Sequence, residues 1–123
     1  MMTAHRMMII DDNHMNLELV SYMLEANGYI VKVESGAVTA LNSIPEFQPD
    51  LILMDIQLPD MDGLELTRRL KADPATSGIV IVAFTAYAMK GDEAKMIASG
   101  CDGYISKPIN VSTFISQVQS CLP

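Results

Sequence analysis

The chain has 123 residues, half of them hydrophobic and 19% charged, with a formal net charge of −7. That length suits one domain, and the composition is that of a chain with a hydrophobic core. The negative charge argues against a nucleic-acid surface, and no apolar run approaches the roughly 18 residues of a membrane span.

Met7 to Ile10 is the first short apolar run and predicts a strand. It is too short for a signal-peptide core and runs straight into Asp11 and Asp12. Leu17, Val20 and Leu24 then repeat with helical period, and Gly28 follows where a left-handed residue stops a helix. Ile30 to Val33 predicts a second strand. Ser35 is the candidate cap of a second helix whose apolar stripe is Ala37, Ala40, Leu41 and Ile44, with Pro45 as its expected end. Leu51 to Met54 predicts the third strand, and Asp62 with Glu65 has capping-box spacing for a third helix. Ile79 to Phe84 predicts a fourth strand. The fourth helix, about Met89 to Ala98, is the weakest, with Gly91 inside it, a thin apolar stripe and Gly100 closing it. Tyr104 and Ile105 form the fifth strand. Asn110 is the expected cap of a fifth helix carrying Val111, Phe114, Ile115 and Val118.

The five runs read as buried parallel strands. Five βα units in succession predict an α/β fold with helices on both faces of a parallel sheet. Such sheets bind ligands beyond the carboxyl ends of their strands. Asp11 and Asp12 follow the first strand, Asp55 the third, Thr85 the fourth, and Lys107 with Pro108 the fifth; the second ends in Glu34 and Ser35. Taken singly, each has an ordinary reading: a turn-starting Asp, a solvated loop, a strand Thr, an exposed Lys. Their joint placement on one sheet edge is what points to a site.

Two carboxylates ~5 Å apart repel by roughly 3 kcal/mol at an effective dielectric near 20. Three of them call for a proton or a cation. The available ligands are hard oxygens, which favours Mg²⁺ (Mn²⁺ is the alternative). A metal and Lys107 opposite a carboxylate, with the Thr85 hydroxyl nearby, could stabilise a phosphoryl group on an Asp. The ten methionines read as core filler, and the two cysteines, Cys101 and Cys121, as free thiols of a reducing cytoplasm.

In order along the chain stand Asp11-Asp12, then D-I-Q-L-P-D-M-D-G from Asp55, F-T-A at Phe84 to Ala86, and Y-I-S-K-P from Tyr104. Together they resemble the response-regulator receiver domain of two-component signalling, from about Met7 to Leu122. M-D-I-Q-L-P, A-M-K-G-D-E and G-C-D-G-Y-I-S-K-P-I look like DivK-type single-domain regulators and receiver domains of hybrid sensor kinases. The resemblance implies a CheY-like, flavodoxin-like sheet of strand order 2-1-3-4-5. It implies Asp55 as phosphoacceptor, Asp12, Asp55 and the Gln57 carbonyl as Mg²⁺ ligands, and Asp11 as support through water. Lys107 would contact the phosphoryl group, with a cis Lys107–Pro108 bond. Thr85 would move to that group, and Tyr104 would turn inward, repacking the face made by the fourth helix, fifth strand and fifth helix. Gln57 and Tyr87 would tune phosphoryl lifetime, Tyr87 by shielding it from water.

The partners so implied are a histidine kinase or phosphotransfer protein, docking near the first helix where His14 is an exposed contact, and a downstream protein target. The chain is expected to be cytoplasmic, with no membrane or nucleic-acid partner. It is also expected to be a single receiver domain over 1–123 without an output domain, monomeric or weakly dimeric through the switching face. A receiver catalyses only its own phosphorylation and dephosphorylation. Two enzyme-class and cofactor-class rivals lack their residues. A dehalogenase-type phosphatase needs an Asp where Gln57 stands, and a flavin-binding flavodoxin needs a phosphate loop where Asp-Asp-Asn-His stands. A pseudo-receiver, binding partners without taking phosphate, is the remaining alternative.

Overall fold

A computed structural model of the chain describes residues 4–86 and 90–122, with only the backbone of 90–92. Ten elements alternate: β1 (Arg6–Ile10), α1 (His14–Ala26), β2 (Ile30–Glu34), α2 (Ala37–Phe47), β3 (Leu51–Met54), α3 (Gly63–Ala72), β4 (Val80–Thr85), α4 (Lys90–Ala98), β5 (Gly103–Ser106) and α5 (Phe114–Cys121). The five strands form one sheet in the order β2-β1-β3-β4-β5, every pair parallel. This is the expected doubly wound sheet. Met7 pairs with Leu51 and Ile10 with Met54, which brings the carboxyl ends of β1 and β3 level.

Side chains alternate across the sheet. Met7, Ile9, Leu51 and Leu53 enter one core with Leu17, Val20 and Leu24 of α1 and Phe114 and Val118 of α5. Met8, Ile10, Ile52 and Met54 enter a second with Ala37, Ala40 and Ile44 of α2 and Leu66 and Leu70 of α3. Residues Leu51–Met54 have no exposed surface, as the unbroken apolar run requires. Among the methionines, Met7, Met8, Met23, Met54 and Met96 are core, while Met15 stands in solvent.

Several local expectations are corrected. β2 is not a buried strand: it is the sheet edge, and Ile30 and Val33 are exposed. Ser35 does not cap α2. The N-cap position is Gly36, and the Asp60 carboxylate, 23 residues away, accepts from the Ala37 amide. Pro45 lies inside α2, which runs on to Phe47 and closes at left-handed Gln48. Asp62 caps α3 through the Leu64 amide, but Glu65 is drawn to Arg68 and Arg69. Asn110 caps the turn before α5 by accepting from the Ser112 amide, which leaves Val111 exposed ahead of the helix. Gly28 and Gly100, at φ of 88° and 102°, terminate α1 and α4 as their positions suggested.

Candidate functional site

The site forms where β1, β3, β4 and β5 end. The Asp11 amide donates to the Glu34 carbonyl and the Asp55 amide to the Ile10 carbonyl, so the sheet ladder fixes both residues. Asp11 is fully buried. Its carboxylate accepts from the Asn13 amide at 2.9 Å and the Asn16 side chain at 3.4 Å. Asn13 is also the N-cap of α1, so one short turn both starts the helix and aims Asp11. Asp12 is exposed beside it. Asp55 is buried, and its Oδ1 accepts from the Gln57 amide at 3.2 Å.

Lys107 comes from the far end of the chain. Its amide donates to the Thr85 carbonyl at 2.8 Å, and the Lys107–Pro108 bond is cis. Its Nζ lies over the Phe84 ring, 5.0 Å from the centroid. Nζ stands 2.9 Å from Asp11 Oδ2 and 3.5 Å from Asp55 Oδ2. Thr85 is buried at the end of β4. Asp11, Asp12, Asp55, Gln57, Thr85 and Lys107 all line one cleft of about 360 Å³.

Three carboxylates face one ammonium there, so the site carries excess negative charge. The Asp55 carboxyl responds: burial pushes it up to about 6, with Lys107 pulling down, Asp11 pushing up and the Gln57 amide pulling down. Carboxylate oxygens of Asp11, Asp12 and Asp55 lie within 4.8 Å of one another. Opposite ligands of an octahedral Mg²⁺ are about 4 Å apart. The donor set, all hard oxygen and open to the cleft at Asp12, suits a small divalent cation that would draw the three carboxylates slightly closer.

The sequence-derived site residues thus converge, with two exceptions. Tyr104 stands on the outward side of β5, 42% exposed, beside a separate cavity between α4 and α5. Tyr87 lies outside the described residues. His14 is exposed at the start of α1, as expected of a contact residue. Two contributors were not foreseen. A Cβ on Gly63 would stand 2.2 Å from the Asp55 carbonyl oxygen, so the turn after β3 closes only around glycine. The D-M-D-G run contained that residue but gave no sign of the contact. Asp60 was the second, since its partners lie too far along the chain for any local pattern to show.

The family model for the response regulator receiver domain matches residues 7–119. The chain belongs to this family. The receiver domain is 48% identical over 116 residues to the polar-differentiation response regulator DivK of Brucella ovis, covering 94% of each chain. It is 47% identical over 115 residues to DivK of Brucella anthropi, again covering 94% of each. Its fold superposes on the chemotaxis response regulator CheY4 of Vibrio cholerae with a TM-score of 0.92, at 24% identity over 98% of this chain and 100% of that one. The receiver domain of a sensor histidine kinase from Pseudomonas aeruginosa, solved with a magnesium ion coordinated in its active site cleft, superposes with a TM-score of 0.85. It is 29% identical, covering 96% of this chain and 97% of that one. This chain is accordingly a receiver domain of two-component signalling, similar to DivK. No helix among the described residues is long and apolar enough to cross a membrane.

Proposed function

We propose that Asp55 accepts a phosphoryl group from a phosphohistidine of a kinase or phosphotransfer protein. The observation that carries this reading is the position of Asp55. It is a buried carboxylate fixed by the sheet ladder, beside two further carboxylates and one ammonium. An Asp55 oxygen attacks phosphorus. The P–N bond breaks, and the departing imidazole nitrogen keeps the electron pair and takes up a proton. Lys107 has three N–H donors; one stays on Asp11, and another turns to a phosphoryl oxygen. The Thr85 hydroxyl donates to the same group, and the Gln57 amide orients the Asp55 carboxylate. Asp12, Asp55 and the Gln57 carbonyl would hold Mg²⁺, with Asp11 supporting it through water. When bound, that ion neutralises charge on the carboxylates and on the phosphoryl oxygens.

The switch follows from the same parts. Thr85 moves toward the acyl phosphate, and Tyr104, now outward, turns in. That alters the α4-β5-α5 face, through which a target, or weakly a second copy, would bind. Gln57 tunes the lifetime of the acyl phosphate. The chain is then a signalling phosphoacceptor of the cytoplasm, and the only reactions it promotes are those of its own phosphoryl group.

Intact mass after incubation with acetyl phosphate and Mg²⁺ tests the reading. Gain of one phosphoryl group, lost in Asp55→Asn or with EDTA, is the expected result. No gain, under conditions that phosphorylate a control receiver, would leave a protein-binding module or a receiver restricted to its own phosphohistidine donor.

A further inference from the structure

Between β3 and α3 the chain forms a short hairpin-like loop that makes one wall of the cleft. Its stem is closed by the bridge between Gln57 and Asp62 and by the Gly63 amide, which donates to the Ile56 carbonyl at 2.7 Å. Its tip reaches across to α2. There Asp60 Oδ1 accepts from the Ala37 amide and Oδ2 from the Val38 amide, both at 2.9 Å. Both oxygens of one carboxylate thus cap a helix whose own N-cap residue, Gly36, has no side chain to do so. The fit is close: a Cβ on Gly36 would stand 3.2 Å from Asp60 Oδ1. The two amides hold the Asp60 carboxyl below the usual carboxylate range, so the cap is ionised at neutral pH.

A helix can also be capped by a side chain from within its own preceding turn. Taking the cap from the tip of another loop does something more: it ties that tip to the first turn of a helix packed on the sheet. Leu58 and Pro59, next to Asp60, line the cleft. Gln57, three residues before it, holds Asp55 Oδ1 through its amide. The loop wall therefore has its stem fixed to β3 and its tip fixed to α2.

We propose that Asp60 is a positioning residue for phosphoryl transfer: by bonding the first turn of α2 it holds the β3–α3 loop, and with it the Gln57 backbone, where Asp55 and a divalent cation need it. This role rests on the reading of the cleft given above.

The test compares wild type, Asp60→Ala and Asp60→Asn. Asparagine keeps one acceptor oxygen and so one of the two bonds. Amide exchange of the metal-free proteins is followed by NMR. Mg²⁺ is titrated in the same spectra, and the rate of phosphorylation by acetyl phosphate is measured at saturating Mg²⁺. In Asp60→Ala, exchange at Ala37 and Val38 should quicken about tenfold, as for one lost cap, and should quicken at Gln57 and Gly63 too. Its Mg²⁺ dissociation constant should rise about tenfold, the lower end for partners outside the ligand shell. Asp60→Asn should fall between it and wild type on every readout. Faster exchange at Ala37 and Val38 alone, with Gln57, Gly63 and Mg²⁺ affinity unmoved, would make Asp60 a helix cap only and overturn the proposal. If wild type itself neither binds Mg²⁺ nor gains a phosphoryl group, the reading of the cleft fails, and this role with it. The two failures are told apart by which protein shows them.

Discussion

Lys107 places its ammonium 2.9 Å from Oδ2 of Asp11, a carboxylate with no solvent exposure, although the two residues lie at opposite ends of the chain. The pair ties the β5–α5 connection to the end of β1. Removing one partner of a buried pair leaves the other charge stranded, which typically costs about 3 kcal/mol or more. Lys107→Met should therefore lower the unfolding free energy of the metal-free protein by that order, which shows as a lower urea midpoint. Mg²⁺ should narrow the gap, because it supplies positive charge to the same carboxylates. An unchanged midpoint would mean that Asp11 is satisfied by Asn13 and Asn16 alone.

Asp55 should weaken the fold that it serves. Its carboxyl is pushed from an ordinary 3.8 to about 6, so the folded state holds that proton more tightly than the unfolded chain. Stability from this group is present below pH 3.8 and is lost as the pH rises through about 6. Asp55→Asn removes that loss. Without metal, the variant should exceed wild type by roughly 1–3 kcal/mol at pH 7.5 and by nothing measurable near pH 3.5. Thermal melts at the two pH values give the comparison, and a gain that is the same at both would rule out the ionisation of Asp55 as its source.

Gly63→Ala should be among the most damaging single-methyl changes in the chain. The added carbon would meet the Asp55 carbonyl oxygen at 2.2 Å and the Ile56 Cα at 2.8 Å, both backbone atoms with little room to move. Overpacking of this kind costs about 3 kcal/mol. Phosphorylation should fall as well, since the displaced backbone is that of Asp55. Melting temperature and the acetyl phosphate reaction, measured on the same sample, check both effects.

α4 should open more readily than α5. Among its described side chains only Met96 is buried, whereas Phe114 and Val118 of the shorter α5 both reach the core. α3 holds the carboxyl end of α4, Arg68 donating to Ser99 at 3.1 Å and Lys71 to Asp102 at 2.9 Å. Hydrogen-bonded amides of α4 should then exchange at least about tenfold faster than those of α5. Exchange should slow toward Ala98. Equal protection of both helices would contradict a weakly held switch element.

The strand ends were legible because short unbroken apolar runs and the residues after them are local facts. Asp11, Asp55, Thr85 and Lys107 needed only a parallel sheet to meet. What could not be read depends on tertiary partners. The apolar residues of Ile30 to Val33 suggest burial, but Lys32 within the run suits an edge strand, and the strand order 2-1-3-4-5 places it there. Ser35 was a sound local cap, displaced by Asp60 from another loop. Pro45 is a local stop signal, yet the last turn of α2 carries it. The steric demand at Gly63 appears only once the loop is folded back on Asp55.

The two core clusters share no residue among those described: α1 and α5 belong to one, α2 and α3 to the other. The sheet is a partition as well as a scaffold. Leu53 and Ile52 are chain neighbours in different compartments, while Leu53 and Phe84, far apart in sequence, occupy the same one. Repacking one compartment can therefore leave the other almost undisturbed. The cleft lies on the rim of that partition, with Asp55 at the end of a strand that faces both sides. A charge change there is felt by two separately adjustable halves of the molecule at once.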